Sequence, residues 1–147
     1  MNQTELDQLI SPFRDKIGDF EIAADKFISY IIIKPDQLPA LMQLLRKDCG
    51  FNHLSDLTAV DYGEEFEIIY RLYAIPGKVN VTVKTRVPRS QSELASICSI
   101  YPTADWQERE AYDLMGIIFD GHPNLVRVLL PDDFTGHPLR KDYQKGR

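Results

Sequence analysis

Two stretches of alternating residue character, joined by a proline–glycine pair, constrain the fold of this chain more than any other feature. Apolar or aromatic side chains recur at every second position in residues 66–73 and again in residues 79–87. A period of two is that of a strand whose successive side chains point to opposite faces of a sheet. Pro76 and Gly77 lie between the stretches and are typical turn residues. The pattern therefore predicts a β-hairpin.

The residues before this hairpin predict two further strands and two helices. Apolar residues at helical spacing predict a first helix over residues 4–17, opened by a capping box of Thr4 and Asp7. Residues 20–24 and 27–33 then read as two strands joined by a tight turn at Asp25 and Lys26. The second of these strands is apolar on both faces, so we expect it to be central or covered.

A second helix is expected after Asp36, its predicted N-cap, and before Gly50. Residues 53–61 follow as a less regular strand and lead into the hairpin. The predicted order is thus α-β-β-α-β-β-β. That order favours an α+β fold with a mostly antiparallel sheet and with helices packed on one face.

The chain beyond Pro88 predicts two more helices and an irregular end. Ser90 and Glu93 have capping-box spacing and predict a short helix through Cys98. Asp105 and Glu108 have similar spacing and open a predicted helix over residues 106–115, which Gly116 closes. Proline and glycine recur after it, and only residues 126–130 form an apolar run that could be a strand. We therefore expect an α+β domain over residues 1–115 and an extended proline-rich C-terminal arm over 116–147.

Composition and charge exclude several classes of function. The 147 residues suit one domain with its own core, and the net charge of −5 disfavours a nucleic-acid binder. No apolar run approaches the roughly 20 residues of a spanning helix, and the N-terminus does not read as a secretory signal. Cys49 and Cys98 are too few to ligate an iron–sulfur cluster in the usual way.

Three carboxylates on the last predicted helix are the main candidates for chemistry. Glu108, Glu110 and Asp113 lie within two turns, and such carboxylates serve either acid–base catalysis or metal binding. The alternative is a solvated or interface helix whose ions pair with their neighbours. His122 and His137 each stand between Gly and Pro, a context that favours pinning a turn by hydrogen bonds over binding zinc. Residues 116–121 have the glycine spacing of a P-loop but lack its lysine, and no dinucleotide-binding or nucleophile motif occurs.

The charged tail allows two interpretations from its chemistry alone. Arg140, Lys141, Asp142 and Tyr143 end a segment that can bury little surface by itself. It is either a frayed terminus or an arm that becomes ordered against a partner.

Four segments of the C-terminal third together resemble a known family. Residues 108–117, 121–123, 129–133 and 136–143 read EREAYDLMGI, GHP, LLPDD and GHPLRKDY. This pattern resembles the signature of the small hydrophilic subunit of complex I, known as the C subunit in bacterial enzymes and as the J subunit in chloroplasts and cyanobacteria. The chain's length and its predicted α+β layout also fit that family.

The resemblance implies a subunit of a proton-pumping NADH:quinone oxidoreductase that carries no catalytic, cofactor or metal site of its own. FMN and iron–sulfur clusters are expected on other subunits. The expected partners are the hydrogenase-like large subunit of the quinone site and adjacent iron–sulfur subunits, on the cytoplasmic side of the cell membrane. Membrane contact is expected only through the complex. The residues expected at the interface are Glu108, Arg109, Glu110, Asp113, His122, His137, Arg140, Lys141, Asp142 and Tyr143.

Two alternatives remain from the sequence. The same type of subunit occurs in membrane-bound hydrogenases and formate-hydrogen-lyase-like complexes. An independent enzyme would instead use the carboxylates of Glu108, Glu110 and Asp113, with His122 as a further group.

Overall fold

The predicted hairpin forms the centre of a five-stranded sheet. In the computed structural model, which describes residues 1–144, its strands are β4 (Glu65–Ala74) and β5 (Val79–Pro88). They pair antiparallel along their whole length. The side chains of β4 that face the helices are fully buried: Phe66, Ile68, Tyr70 and Leu72. The hairpin prediction is confirmed.

The other strands extend this hairpin on both sides. β1 (Phe20–Ala24) and β2 (Ser29–Ile33) form a second hairpin, and β3 (His53–Asp61) pairs with β4. The strand order is β1-β2-β5-β4-β3, so β2 lies inside the sheet, which agrees with the prediction that it is central or covered. Only the pairing of β2 with β5 is parallel within this sheet. A parallel pair needs a long crossover, which here contains a helix and two strands. The prediction of a mostly antiparallel α+β fold is confirmed.

The first predicted helix is interrupted. Its residues form α1 (Gln3–Ile10), a 3₁₀ turn at Ser11–Phe13 and α2 (Arg14–Ile17). Pro12 stands in that 3₁₀ turn and has no backbone N–H to donate to the preceding turn. The predicted capping box of Thr4 and Asp7 is wrong: the cap is Asn2, whose Oδ1 accepts from the amide of Glu5 at 2.8 Å.

The second helix forms one wall of the core. α3 (Leu38–Lys47) follows a 3₁₀ turn at Pro35–Gln37, so its N-cap is Gln37 and the prediction of Asp36 is wrong. The buried apolar side chains of α1, α2, α3 and the last helix belong to one cluster with the inward-facing residues of the sheet. This arrangement agrees with the prediction that the helices pack on one face.

The third helix of the prediction is absent. Residues 93–95 form β6 (Glu93–Ala95), which pairs parallel with β7 (Ile118–Asp120). Leu94 is buried in this second, two-stranded sheet. The tertiary pairing with β7 thus outweighs the local helix signal of Ser90 and Glu93. The short helix predicted after Ser90 is therefore wrong.

The last helix ends where the sequence predicts. α4 (Ala104–Met115) stops at Gly116, which has a φ of 74° in the left-handed region. Its N-cap is Thr103, without a side-chain cap, so the capping box of Asp105 and Glu108 is wrong. The strand predicted over residues 126–130 is also wrong, because their backbone joins no ladder.

Residues 121–144 contain neither helix nor strand, yet they are tied to the body of the domain. Backbone and side-chain hydrogen bonds join them to α4 and to the end of β3. The predicted division into a domain and a C-terminal arm at residue 115 stays a prediction. The last residues of the predicted arm, 145–147, lie outside the described part of the chain. None of the helices described in residues 1–144 has the length and apolar character needed to cross a bilayer.

Candidate functional site

Asp113 is the centre of the site that the carboxylates of α4 were expected to form. Its side chain has no exposed surface. Oδ1 accepts from the Arg127 guanidinium at 2.7 Å, and Oδ2 accepts from the backbone amides of residues 128–130 at 2.8–3.1 Å. Burial acts to raise the pKa of this carboxyl, but Arg127 and the three amides together hold it below its ordinary value. Asp113 is therefore a buried anion that the chain itself neutralises.

Arg127 extends this pairing into the C-terminal segment. Its guanidinium also donates to the carbonyls of Phe134 and Gly136, at 2.9 and 2.8 Å. Only about a tenth of its side chain is exposed. A guanidinium spreads its donors over a rigid planar fork and can therefore reach acceptors on several sides, whereas a lysine ammonium concentrates its donors at one point. Arg127 thereby connects α4 to the irregular segment that follows it.

Glu108 turns from its helix into the core. It is fully buried and accepts from the Ser96 hydroxyl at 2.5 Å, the Ile97 amide at 2.9 Å and the Cys98 thiol at 3.3 Å. All three donors are neutral. Burial raises the pKa of Glu108, although these hydrogen bonds partly oppose the rise. The carboxylate thus holds the loop after β6 against α4.

Cys98, Glu108 and His122 come together closely enough to be tested as a metal site. One ligand atom from each lies within 4.8 Å of the others. However, His122 Nδ1 accepts the amide of Asn124 at 2.9 Å, so the ring proton must be on Nε2. That nitrogen faces Asp105, at 3.0 Å from Oδ1 and 3.1 Å from the backbone oxygen. The lone pair on Nδ1, which a metal ion would need, is therefore already taken by the Asn124 amide, and Nε2 donates to Asp105, so His122 has no free nitrogen to offer an ion.

Both histidines fix their segments to α4, and His122 also holds its own turn, as its Gly-His-Pro context predicts. His122 joins the turn after β7 to Asp105 at the start of α4. His137 Nδ1 donates to the backbone oxygen of Asp113 at 2.9 Å, at the other end of that helix. Its ring also packs edge-on against Tyr112.

Residues 136–143, which we call the C-terminal strap, lie across the end of α4 and the end of β3. The amide of Leu139 donates to the carbonyl of Leu114 at 2.9 Å. The amide of Lys141 donates to Asp61 Oδ2 at 2.8 Å. Tyr143 stacks on Phe134 with ring centroids 6.4 Å apart. The strap is thus fixed at both ends and in the middle.

Asp61 and Arg89 form the part of the body that receives the strap. Asp61 is buried and accepts from the guanidinium of Arg89 and from the amide of Gly63. These donors and the Lys141 amide hold the pKa of Asp61 well below its usual range, against the effect of burial. Arg89 also donates to Asp142 at 2.7 Å.

Asp142 lies between two arginines. Arg140 donates to Oδ1 at 2.8 Å and to Oδ2 at 3.1 Å, and Arg89 donates to the same Oδ2. Both guanidiniums also lie over the ring of Phe66, at 4.8 Å and 5.1 Å from its centroid. Hydrogen bonds from Arg140, followed by those from Arg89, lower the pKa of Asp142 to about 2.

The remaining predicted residues lie at the surface of α4. Arg109 donates to the carbonyls of Val126 and Arg127 and lies over the ring of Trp106. Glu110 lines a groove of about 160 Å³ between α4 and β3. The three candidate carboxylates therefore have separate surroundings: Glu108 and Asp113 are buried and engaged within the chain, and Glu110 lies at this groove.

Three large apolar side chains around this region are more than half exposed: Trp106, Leu129 and Leu139. Isolated exposed apolar residues are ordinary, but here they flank the same helix and strap that carry the charged motif. The surface therefore combines apolar area with polar groups that are already fixed in place.

Asp61, Arg89, Ser96 and Arg127 are site residues that the sequence patterns do not single out. Asp61 and Lys141 are 80 residues apart, and Glu108 and Ser96 are 12 apart with a turn between them. No local spacing links such residues. The one signal in the sequence is at Arg127, which immediately precedes a run of apolar residues inside the motif-bearing segment.

Known proteins resemble this chain over nearly its whole length. The family described as "Respiratory-chain NADH dehydrogenase, 30 Kd subunit" matches residues 31–147. The C subunit of the NADH-quinone oxidoreductase of Moorella thermoacetica is 44% identical over 141 residues, covering 95% of each chain. The protein of the same name from Geotalea uraniireducens is 37% identical over 147 residues, covering 97% of this chain and 90% of its own.

Solved structures give the same result at the level of the fold. Nqo5, in a trypsin-resistant fragment of residues 1–134, superposes with a TM-score of 0.70 at 28% identity, covering 82% of this chain and 98% of the fragment. A chain of an archaeal membrane-bound sulfane sulfur reductase superposes with a TM-score of 0.80 at 24% identity, covering 96% of this chain and 86% of its own. The family match and the relatives agree with the resemblance carried by the C-terminal motif, and the chain belongs to the family of the 30 kDa subunit of respiratory-chain NADH dehydrogenase.

Proposed function

We propose that this chain is a peripheral scaffold subunit of a proton-pumping NADH:quinone oxidoreductase and that it carries no electrons itself. The observation that carries the proposal is the full-length relationship to the C subunits of NADH-quinone oxidoreductases, at up to 44% identity. FMN and iron–sulfur clusters would be held by other subunits of that complex. The chain would lie on the cytoplasmic side of the membrane and contact the bilayer only through its partners.

The proposed docking surface is formed by α4, residues 121–130 and the C-terminal strap. The hydrogen bonds that fix these segments leave Trp106, Leu129 and Leu139 exposed beside charged groups. Apolar anchors surrounded by polar groups are typical of stable protein interfaces. The proposed partners are the hydrogenase-like large subunit of the quinone site and the adjacent iron–sulfur subunits.

Interface residues divide into two groups under this proposal. Glu108 and Asp113 have no exposed surface, so they cannot touch a partner. They act by holding the neighbouring loops in place through hydrogen bonds. Arg109, Glu110 and Lys141 are at least partly accessible and can meet a partner directly. Charges at such positions set register and specificity more than affinity.

Affinity purification from gently solubilised membranes tests the proposal. Tagged wild-type chain should bring down a hydrogenase-like large subunit and iron–sulfur subunits, identified by mass spectrometry. A flavin subunit among them would indicate complex I, whereas nickel-enzyme subunits would indicate a hydrogenase-type complex. Recovery of the chain alone from the soluble fraction would contradict the proposal.

Matched apolar variants locate the interface. Leu139→Ser and Trp106→Ser should each reduce recovery of the partners several-fold, because each removes an exposed apolar anchor. Phe27→Ser is the control: this side chain is 85% exposed but lies in the turn between β1 and β2, away from the proposed surface. Equal losses for all three variants would count against the assigned surface.

A further inference from the structure

Asp61 and Arg89 lie outside the proposed docking surface, yet they hold the strap that forms part of it. The Asp61 side chain is only 3% exposed, and a charge in such a place is retained only if it is fully paired. Its partners are Arg89, the amide of Gly63 and the amide of Lys141. One of the donors that satisfy this buried carboxylate therefore comes from the strap.

Arg89 links the strap to the body a second time. Its guanidinium donates to Asp61, to the carbonyl of Gly63 and to Asp142. The first two acceptors belong to the end of β3 and the turn after it, and the third belongs to the strap. Planar guanidinium geometry allows one side chain to serve all three acceptors, which gives the strap a fixed position on the body.

Four backbone amides of the strap are hydrogen-bonded in this closed position. Leu139 donates to Leu114, Lys141 to Asp61, and Arg140 and Tyr143 to carbonyls within the strap itself. The segment has no helix or strand to satisfy these amides otherwise. Its order therefore depends on the contacts with the body.

We propose that Asp61 and Arg89 are positioning residues that lock the C-terminal strap onto the domain before any partner binds. The lock holds the exposed side chain of Leu139 beside the C-terminal end of α4, so a partner meets a preformed surface. Binding to a preformed surface avoids the entropy loss of ordering a free arm. The closed strap is a property of the chain alone, whereas its consequence for docking rests on the proposed function.

Site-resolved amide exchange of the full-length chain tests the lock. The amides of Leu139, Lys141 and Tyr143 should be protected in the wild type, and Arg89→Ala should increase their exchange about tenfold or more. Asp142→Asn leaves the buried pair of Asp61 and Arg89 intact, so it should loosen the strap by a smaller factor without endangering the fold. Unprotected strap amides in the wild type, or no change in Arg89→Ala, would overturn the proposal.

Two further variants separate positioning from general stability. Arg86→Ala is the matched control, because Arg86 pairs with Glu65 and Glu67 on the sheet and has no contact with the strap. It should leave exchange of the strap amides unchanged. Arg89→Lys keeps a cation beside Asp61 but lacks the planar fork that also serves Asp142 and Gly63. Exchange in β4 should therefore stay slow, whereas the strap amides should exchange fast. If amide exchange in β4 and in the strap changed together, Arg89 would have only a general structural role.

Partner recovery completes the test. Arg89→Ala and Asp142→Asn should lower recovery of the copurifying subunits, and Arg86→Ala should not. Loosened strap amides with undiminished recovery would overturn the link between the lock and docking. Failure of the wild-type chain to recover any partner would instead contradict the proposed function, while the exchange results would still decide whether the lock exists.

Discussion

Asp113 and Arg127 form a buried ion pair at 2.7 Å that joins the last helix to the irregular segment after it. The two residues are 14 positions apart, and both belong to the region that carries the family motif. Three backbone amides complete the hydrogen bonds of the carboxylate, and three backbone carbonyls, including that of Asp113 itself, complete those of the guanidinium. Asp113, which the sequence places among the interface residues, is thus buried and supports the proposed docking surface through its contact with Arg127.

Arg127→Met should destabilise the domain strongly, because it leaves the Asp113 carboxylate buried without its cation. Breaking a buried pair by removing one partner costs about 3 kcal/mol or more. The free energy of unfolding from urea titration at neutral pH measures this loss. Arg71→Met is the control at an exposed position on the other face of the sheet, where a change within about 0.5 kcal/mol is expected. Similar losses for both would contradict the assigned role.

Gly116→Ala should cost more than Gly50→Ala, although both residues have left-handed backbones, with φ of 74° and 78°. A Cβ at Gly116 would stand 2.8 Å from the His137 ring, whereas nothing lies within 4 Å at Gly50. Each substitution carries a backbone penalty of about 1 kcal/mol, and only the first also displaces the strap. Thermal or urea unfolding compares them, and equal destabilisation would show that His137 yields freely.

Acid should weaken the domain through Asp61 and Asp113. Both have a pKa held below the ordinary value of 3.8 in the folded chain. Their contribution is therefore complete above about pH 4 and is lost as the pH falls through the lower folded values. Urea midpoints measured between pH 5 and pH 2 should fall steeply for the wild type. Asp61→Asn should show a shallower decline from a lower starting stability, and an identical slope would exclude Asp61 as a source.

Glu108 should act in the opposite direction at higher pH. Its folded pKa is raised above the ordinary 4.5, so the folded state binds this proton more tightly than the unfolded state. The resulting stabilisation is complete below about pH 4.5 and is lost as the pH rises through the folded value. The stability difference between wild type and Glu108→Gln should therefore shift in favour of the wild type as the pH falls from 7 towards 4.5. A difference independent of pH would contradict the raised value.

Sequence patterns predicted the parts of the fold that depend on neighbouring residues. The hairpin of β4 and β5 and the end of α4 at Gly116 follow from alternation and from a glycine at the correct position. Helix starts were less predictable. Glu108 stands three residues after Asp105, as in a capping box, but its side chain turns into the core instead of capping the helix. Its actual partners, Ser96 and Ile97, lie beyond a turn that local patterns do not describe.

The site depended on contacts between distant residues and was predictable only in part. The motif located α4 and the strap, but the receiving residues Asp61 and Arg89 belong to a strand end and a 3₁₀ turn with no distinctive pattern. The parallel pairing of β6 with β7 was missed for the same reason. Three-residue strands carry too little alternation to be recognised before the fold brings them together.

The parallel pairing of β2 with β5 also determines when β2 can be paired during synthesis. The first hairpin is complete at Ile33, but β5, which must cover its inner edge, ends at Pro88. At roughly 5–20 residues per second, a ribosome leaves the backbone groups of that edge unpaired for several seconds. An exposed edge of this kind is an aggregation hazard and a natural target for a chaperone. The nascent chain is therefore most vulnerable between the completion of β2 and the emergence of β5.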